Sequence, residues 1–469
     1  MSYEQLVNII NALNDFIAGK ILVWGLLGAG TFLSIRLGFP QIFRFKRSIK
    51  IIFGKKDKKE GSMSSFQALA TSIAAQVGTG NVAGVATALT AGGPGAIFWM
   101  WITAFLGMGT IFTEASLAQK YRMRIGGDLV GGPAYYILYG LQDKAGGFAK
   151  FLSRFFSIAI IVALGCMGNA VQSNSISFGI RGVKGLENVS PLIIGIAVAL
   201  LTATIFVGGM SRIAKFAELV VPVMALTYIA GSIVILAINY EQIIPTFSWI
   251  IKSAFTPIAA TGGIAGAVVK EAVTKGVARG VFTNEAGMGS TPHAHAVANV
   301  KHPTEQALSA MFGVLVSLVI CTSTALVVLV TKAYEKVDAN GKFLKGSQLT
   351  QEAFKSAFGE SGAILLAFCI IFFAFTTIVG WYYFGESNIK LVFGKSSIWP
   401  YRIVVLLFVI MGSLAEVDIV WSLADIFNSL MVLPNLIAIV WLSKEVKDLL
   451  RDYNNKYDNN NLYYDYKNK

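Results

Sequence analysis

Apolar residues run along this chain in blocks of about twenty, parted by short stretches where charge, glycine and proline collect. A helix rising about 1.5 Å per residue crosses a hydrocarbon layer of roughly 30 Å in that length, so each block is predicted to be a membrane-spanning α-helix. The unbroken blocks cover residues 19–37, 96–119, 151–180, 191–207, 214–238, 305–330, 362–389, 400–414 and 417–442. Two further crossings, 66–91 and 256–298, are irregular, which brings the expected total to eleven. No series of short alternating segments points to an outer-membrane barrel. The predicted class is therefore an all-α, polytopic membrane protein. Ahead of the first span, Leu6, Ile9, Ile10, Leu13 and Phe16 recur at helical spacing opposite Asn8, Asn11 and Asp15, as expected of a helix lying in the membrane interface. No Lys or Arg precedes that stretch, so it lacks the basic start of a cleaved signal peptide and the first span is expected to be retained.

The irregular crossings carry the chemistry. Gln76-Val77-Gly78-Thr79-Gly80-Asn81 places two glycines and a polar cluster at mid-depth of an apolar block. Glycine costs about 1 kcal/mol relative to alanine inside a helix, so the backbone is free to leave helical geometry there. Broken backbone survives in a membrane only when buried in protein or lining a cavity, where its N–H and C=O groups can hold a ligand. A half-helix starting near Gly80 would also turn its positive end toward a carboxylate. Residues 256–298 hold seven glycines together with Lys270, Glu271, Lys275, Arg279 and Glu285, and no simple span fits them. With the first span set aside, the two interrupted crossings are the first and sixth of ten. That is the first helix of each half in a five-plus-five arrangement, and an odd number of spans per half turns the halves upside down relative to each other. Paired interruptions of this kind mark an inverted-repeat transporter.

Composition agrees with this reading: of 469 residues 55% are hydrophobic and 14% charged, with mean hydropathy +0.62. The net charge of +13 is spread by loop and does not suggest a nucleic-acid partner. Arg36, Arg44, Lys46, Arg47, Lys50, Lys55, Lys56, Lys58 and Lys59 crowd one loop, which by the positive-inside rule is cytoplasmic. The expected orientation has the N-terminus outside and the C-terminus inside. Five regions follow: an interfacial and first membrane helix (1–38), a basic cytoplasmic loop (39–65), two five-helix repeats (66–238 and 239–442) and a charged, disordered cytoplasmic tail (443–469). Cys166, Cys321 and Cys369 lie in apolar runs without CxxC spacing and read as packing residues. No nucleophile–base set or metal cluster supports an enzyme. Polar residues concentrated at mid-depth argue against the continuous lining of a channel.

The run Val77-Gly78-Thr79-Gly80-Asn81 resembles the unwound segment of the leucine-transporter fold. Together with Gly92-Gly93-Pro94-Gly95-Ala96-Ile97-Phe98-Trp99-Met100-Trp101 and Gly280-Val281-Phe282-Thr283-Asn284-Glu285-Ala286-Gly287-Met288-Gly289-Ser290, it is similar to the alanine or glycine:cation symporter family over essentially the whole chain. The resemblance implies an inner-membrane protein of eleven helices that imports a small amino acid with Na+; a monomer is the simplest expectation, though the sequence itself does not set the oligomeric state. It implies that Thr79, Gly80 and Asn81 hold the substrate carboxylate, and that broken-helix carbonyls take the ammonium. Gln172, Phe178, Phe282 and Trp381 would line the pocket, their bulk favouring alanine or glycine over leucine-sized cargo. Sodium, a hard cation that prefers oxygen, would sit among the carbonyls of Ala74 and Val77 and the hydroxyls of Thr376 and Thr377. Glutamine or another amino acid, or a proton in place of sodium, are the alternatives within the class.

Plainer roles compete at several of these positions. Adjacent threonine hydroxyls can bond back to their own helix, and Gln172 can make an interhelical hydrogen bond. Asn81 as a second ion ligand lacks the seventh-helix Asn partner that the fold uses, since none occurs in 305–330. Glu114, a carboxylate within a span, is either a gate or proton carrier or is paired with a helix end or Lys120. Glu285 either bridges helices as a gate or caps freed N–H groups.

Overall fold

The structure, a computed structural model, describes residues 17, 22–54, 63–125, 127–257, 264, 268–338, 341–415, 417–459 and 461–466. The interfacial helix predicted before residue 19 and the basic residues 55–59 lie outside the described residues. In chain order the first elements are α1 (Val23–Arg36), the basic amphipathic α2 (Phe45–Phe53), strand β1 (Met63–Ser64), α3 (Ser65–Gln76) and α4 (Ala83–Gly92). Next come α5 (Gly95–Lys120), strands β2 (Met123–Ile125) and β3 (Asp128–Val130), α6 (Pro133–Gly140), the long α7 (Gln142–Arg181) and α8 (Pro191–Phe206). After these stand α9 (Gly209–Ile238), α10 (Tyr240–Ser253), α11 (Val269–Asn284), α12 (Pro292–Ala296), strand β4 (Ala298–Asn299) and α13 (Pro303–Val330). The chain ends with α14 (Gly346–Phe358), α15 (Glu360–Phe393), α16 (Ile398–Leu414), α17 (Val417–Trp441) and α18 (Ser443–Asp458).

Among the described residues seven helical stretches are long and apolar enough to cross a membrane: α5, α7, α9, α13, α15 and those ending α16 and α17. The two interrupted crossings are each a pair of shorter helices, α3 with α4 and α11 with α12. Both pairs pack in the centre, α3 against α9, α13 and α15, and α11 against α5. The start of α3 and the end of α12 are tied directly, because β1 and β4 pair in parallel with Met63 opposite Ala298. Ser64 starts α3 with a capping box, its hydroxyl accepting from the Gln67 N–H at 3.1 Å while the Gln67 side chain accepts from the Ser64 N–H at 3.0 Å.

Three segments differ from expectation. The crossing expected at 151–180 begins at Gln142, bends at Gly146 and widens into a π-helical turn over Ile161–Gly168. The polar loop after α13 contains α14, whose apolar face is buried against α15. The tail expected to be disordered from 443 is instead helical through Asp458, burying Val446, Leu449, Leu450 and Tyr453. Those four positions recur at helical spacing, a signal hidden by the polar composition around them. Glu445 on that helix bonds Lys120 at 2.5 Å and Lys144 at 3.1 Å, docking it onto the ends of α5 and α7.

Candidate binding site

Helix α3 ends where its sequence turns to glycine. The Val77 N–H still bonds the Ile73 carbonyl at 2.7 Å, but Val77 leaves helical geometry (φ −101°, ψ 74°) and Gly78 is extended. A single 3-10 turn over Thr79–Asn81 follows before α4 begins. Glycine is required by crowding: a Cβ on Gly78 would lie 2.6 Å from Thr377 Oγ1, and one on Gly80 2.8 Å from Phe282 Cδ1. The freed groups find partners on other helices. The Thr79 N–H and hydroxyl both donate to Gln172 Oε1, at 3.2 and 3.0 Å. The Gly78 N–H donates to Asn81 Oδ1 at 3.2 Å, and Asn81 Nδ2 donates to Ser317 Oγ at 2.8 Å. Thr324 Oγ1 donates to the Asn81 carbonyl at 2.8 Å.

Two amide atoms at this break are buried without a partner, Gln172 Nε2 and Gln76 Oε1. A buried amide left unpaired costs on the order of 1–3 kcal/mol. A donor so placed, beside the Thr79 hydroxyl, is suited to a carboxylate. One turn earlier, Thr377 Oγ1 lies 2.9 Å from the Ala74 carbonyl and 3.4 Å from that of Ala75, with buried Val77 next along the chain. These are oxygen donors of the type sodium takes. Thr376 faces elsewhere, its hydroxyl donating to the Phe372 carbonyl at 2.9 Å and lying 3.6 Å from Met224 Sδ. Adjacent helix positions point about 100° apart, so only Thr377 meets the first break.

Aromatic rings close the other side. Phe282 meets Trp381 edge-on, with centroids 6.0 Å apart, and tilts against Trp421 at 5.2 Å. Over them lies the Arg279 guanidinium, 4.9 Å from the Trp421 centroid, gripping Asp425 through two bonds of 2.9 and 2.7 Å. The second break starts at Glu285, which adopts a left-handed backbone (φ 56°), and passes through Gly287 and Gly289. The N–H groups of these glycines donate to the two oxygens of Glu114, at 3.1 and 3.0 Å, and Asn435 Nδ2 joins Glu114 to the Gly287 carbonyl. Glu285 accepts from Trp381 Nε1 at 2.6 Å and from Ser290 Oγ at 2.5 Å.

Of the residues expected at the site, Thr79, Gly80, Asn81, Gln172, Phe282 and Trp381 come together, with Ala74, Val77 and Thr377 adjoining. Thr376 does not join the Ala74 carbonyl and Thr377 hydroxyl. Phe178 stands apart, six residues and about 9 Å beyond Gln172 along α7, half-buried and without ring contact to Phe282 or Trp381 among the described residues. Glu114 takes the helix-end role and Lys120 pairs with Glu445 instead. Glu285 bridges to α15 and leaves the freed N–H groups to Glu114. Sequence reasoning missed Ser317, Thr324, Trp421, Arg279 and Asp425. Asp425 carried a signal, being a carboxylate inside an apolar block just as Glu114 is. Ser317 carried none, because in sequence it looks like Ser323, whose hydroxyl merely bonds back to Val319.

Two helices broken in mid-span, their breaks sharing one aromatic wall and drawing partners from neighbouring helices, define the class: a membrane transporter. The family model described as the sodium:alanine symporter family matches residues 3–466, and the chain belongs to that family. It is similar to the sodium/alanine symporter AgcS of Methanococcus maripaludis, 41% identical over 452 residues covering 96% of this chain and 97% of the relative. It is also similar to GlnT of Bacillus subtilis, named a probable sodium/glutamine symporter, 40% identical over 453 residues covering 96% and 91%. In fold it is similar to the manganese transporter of Eremococcus coleocola, with TM-score 0.51 at 13% identity, covering 86% of this chain and 80% of that one. The protein is thus a membrane-embedded, sodium-coupled amino-acid symporter by family.

Proposed function

We propose that the protein imports alanine or glycine together with sodium by alternating access, binding both on the first break. The observation that carries this is the convergence of the Thr79 N–H, the Thr79 hydroxyl and the Gln172 amide at one buried point, with Gln172 Nε2 unpaired. A carboxylate there would accept from Gln172 Nε2, and from the Thr79 hydroxyl once it turns from Gln172 Oε1, and the carbonyls loosened between Val77 and Asn81 would face the ammonium. The bulk of Phe282 and Trp381 favours a hydrogen or methyl side chain over a larger one. The Ala74 carbonyl, which Thr377 of α15 meets, lies on the same short stretch of chain as the Thr79 donors. Sodium that orders this stretch lowers the cost of ordering it for the amino acid, and the reverse holds equally. Each positive charge entering down about 100 mV contributes about 2.3 kcal/mol to uptake, before any concentration gradient.

The finer architecture belongs to the same proposal: eleven crossings, one leading helix followed by two inverted sets of five, N-terminus outside and C-terminus inside. It is supported by two broken helix pairs falling at the first and sixth positions of the ten, and by the crowding of lysine and arginine on the loops assigned to the cytoplasm. In that orientation the Arg279–Asp425 pair lies on the outer side of Phe282. A second reading, glutamine as cargo, is favoured by the similarity to GlnT. Uptake of labelled alanine into proteoliposomes tests the choice. Accumulation is expected only with an inward sodium gradient, with glycine competing strongly and glutamine weakly. Accumulation that ignores sodium and follows a proton gradient overturns the coupling ion, and stronger competition by glutamine overturns the substrate.

A further inference from the structure

The indole of Trp381 is held from three directions, and two of the holding residues have no part in binding. Its N–H donates to Glu285 Oε1 at 2.6 Å. Glu285 is itself fixed: its backbone is left-handed, a conformation few residues other than glycine adopt, and its second oxygen accepts from Ser290 Oγ at 2.5 Å. Behind the ring stands Gly168, the last residue of the π-helical turn Ile161–Gly168. A Cβ there would fall 2.6 Å from Trp381 Cζ3, 2.7 Å from Cε3 and 3.0 Å from the Ala163 carbonyl, so neither the rigid ring nor the backbone leaves space for it. In front, Phe282 meets the indole edge-on and lies against Gly80 on the first break. A buried carboxylate in a rare backbone conformation, a glycine with no room for a methyl and a widened helical turn all bear on one side chain. Irregular turns of this kind inside α-helices gather at functional sites.

We infer that Gly168 and Glu285 are positioning residues that set the upper size of the cargo by fixing how far the Trp381 indole reaches toward Gly80. This rests on the reading of the first break as the amino-acid site. Releasing the N–H anchor frees the ring to swing away from Phe282 and widens the pocket, whereas a methyl at position 168 drives the ring forward and narrows it. One methylene in such a pocket changes discrimination by about tenfold or more.

The test measures kcat/KM for glycine, alanine and 2-aminobutyrate in proteoliposomes. Glu285→Ala is expected to raise the 2-aminobutyrate to alanine ratio about tenfold, while Glu285→Gln, which keeps an acceptor oxygen, holds the parent ratio. Gly168→Ala is expected to lower the alanine to glycine ratio by a similar factor. Trp381→Phe, which lacks the N–H, is expected to raise the first ratio by itself and to remove the further effect of Glu285→Ala; if Glu285→Ala does not yield folded protein, Trp381→Phe reads the same bond. Ratios equal to the parent's in Gly168→Ala and Trp381→Phe, or a Glu285→Ala shift that persists undiminished with Phe at 381, overturn the inference. A parent protein that takes up neither alanine nor glycine overturns the functional reading and the inference with it, whereas an active parent with unchanged ratios in the variants overturns the inference alone.

Discussion

The two backbone breaks solve one physical problem with different chemistry. At the second, the freed N–H groups of Gly287 and Gly289 are taken by a carboxylate of the protein, Glu114, and the Gly287 carbonyl by Asn435. At the first no carboxylate is present among the described residues: neutral amides and hydroxyls from Gln172, Asn81, Ser317 and Thr324 share the load, and Gln172 Nε2 is left over. A break saturated by its own acid has no need of an outside one. The break that lacks an acid is the one that gains by accepting a zwitterion. The contrast supports the proposal that substrate contacts fall to residues 77–82, while the second break holds Trp381 and the helix ends around it.

The sharpest way to break this comparison is to remove the internal acid. Glu114→Ala leaves two buried N–H donors and Asn435 without their acceptor, and the cost is expected to be on the order of 3 kcal/mol or more. A large fall in the midpoint of thermal unfolding in detergent is the expected outcome; a midpoint near the parent's would show that the second break does not depend on its carboxylate. Gln172→Ala is expected to act on binding instead, weakening alanine affinity by about 10–100-fold with a smaller change in unfolding midpoint. Equilibrium binding of labelled alanine at saturating sodium checks it, and unaltered affinity would remove Gln172 from the site. Thr377→Ala should raise the sodium concentration for half-maximal uptake by about tenfold, the loss of one ion–oxygen contact, whereas Thr376→Ala should move it far less. The reverse order in a sodium titration would place the ion on the other hydroxyl. The smallest effect is expected from Ser317→Ala, which removes one neutral partner of Asn81 and should cost about 1 kcal/mol, read as a modest drop in both affinity and unfolding midpoint.

Much of this was legible beforehand. The apolar blocks predicted the helices, and Gly78 and Gly80 marked the first break because glycine in a buried span lowers the cost of leaving the helix. Glu114 and Glu285 stood out as carboxylates in apolar surroundings, but their partners did not: Glu114 could be assigned to Lys120 by nearness in sequence, and the fold sends Lys120 to Glu445. Thr376 and Thr377 looked equivalent on paper. Helical rotation separates them, and which one faced α3 depended on how α15 was turned by its neighbours. Phe178 shares a helix with Gln172 and looked like a companion to it, yet six residues of regular helix, about 9 Å of rise and roughly 240° of turn, carry it away from the rings.

Local chemistry along the chain therefore determined where helices run, where they break and which side chains are too polar for their depth, because hydrophobic transfer and glycine's freedom act residue by residue. Only the tertiary structure decided which carboxylate saturates which break, which of two threonines meets the Ala74 carbonyl and how Trp381 is clamped between Gly168 and Glu285. Those pairings join residues 96 to 303 positions apart. They depend on helix rotation and depth, which packing sets jointly for the whole bundle and no single segment encodes.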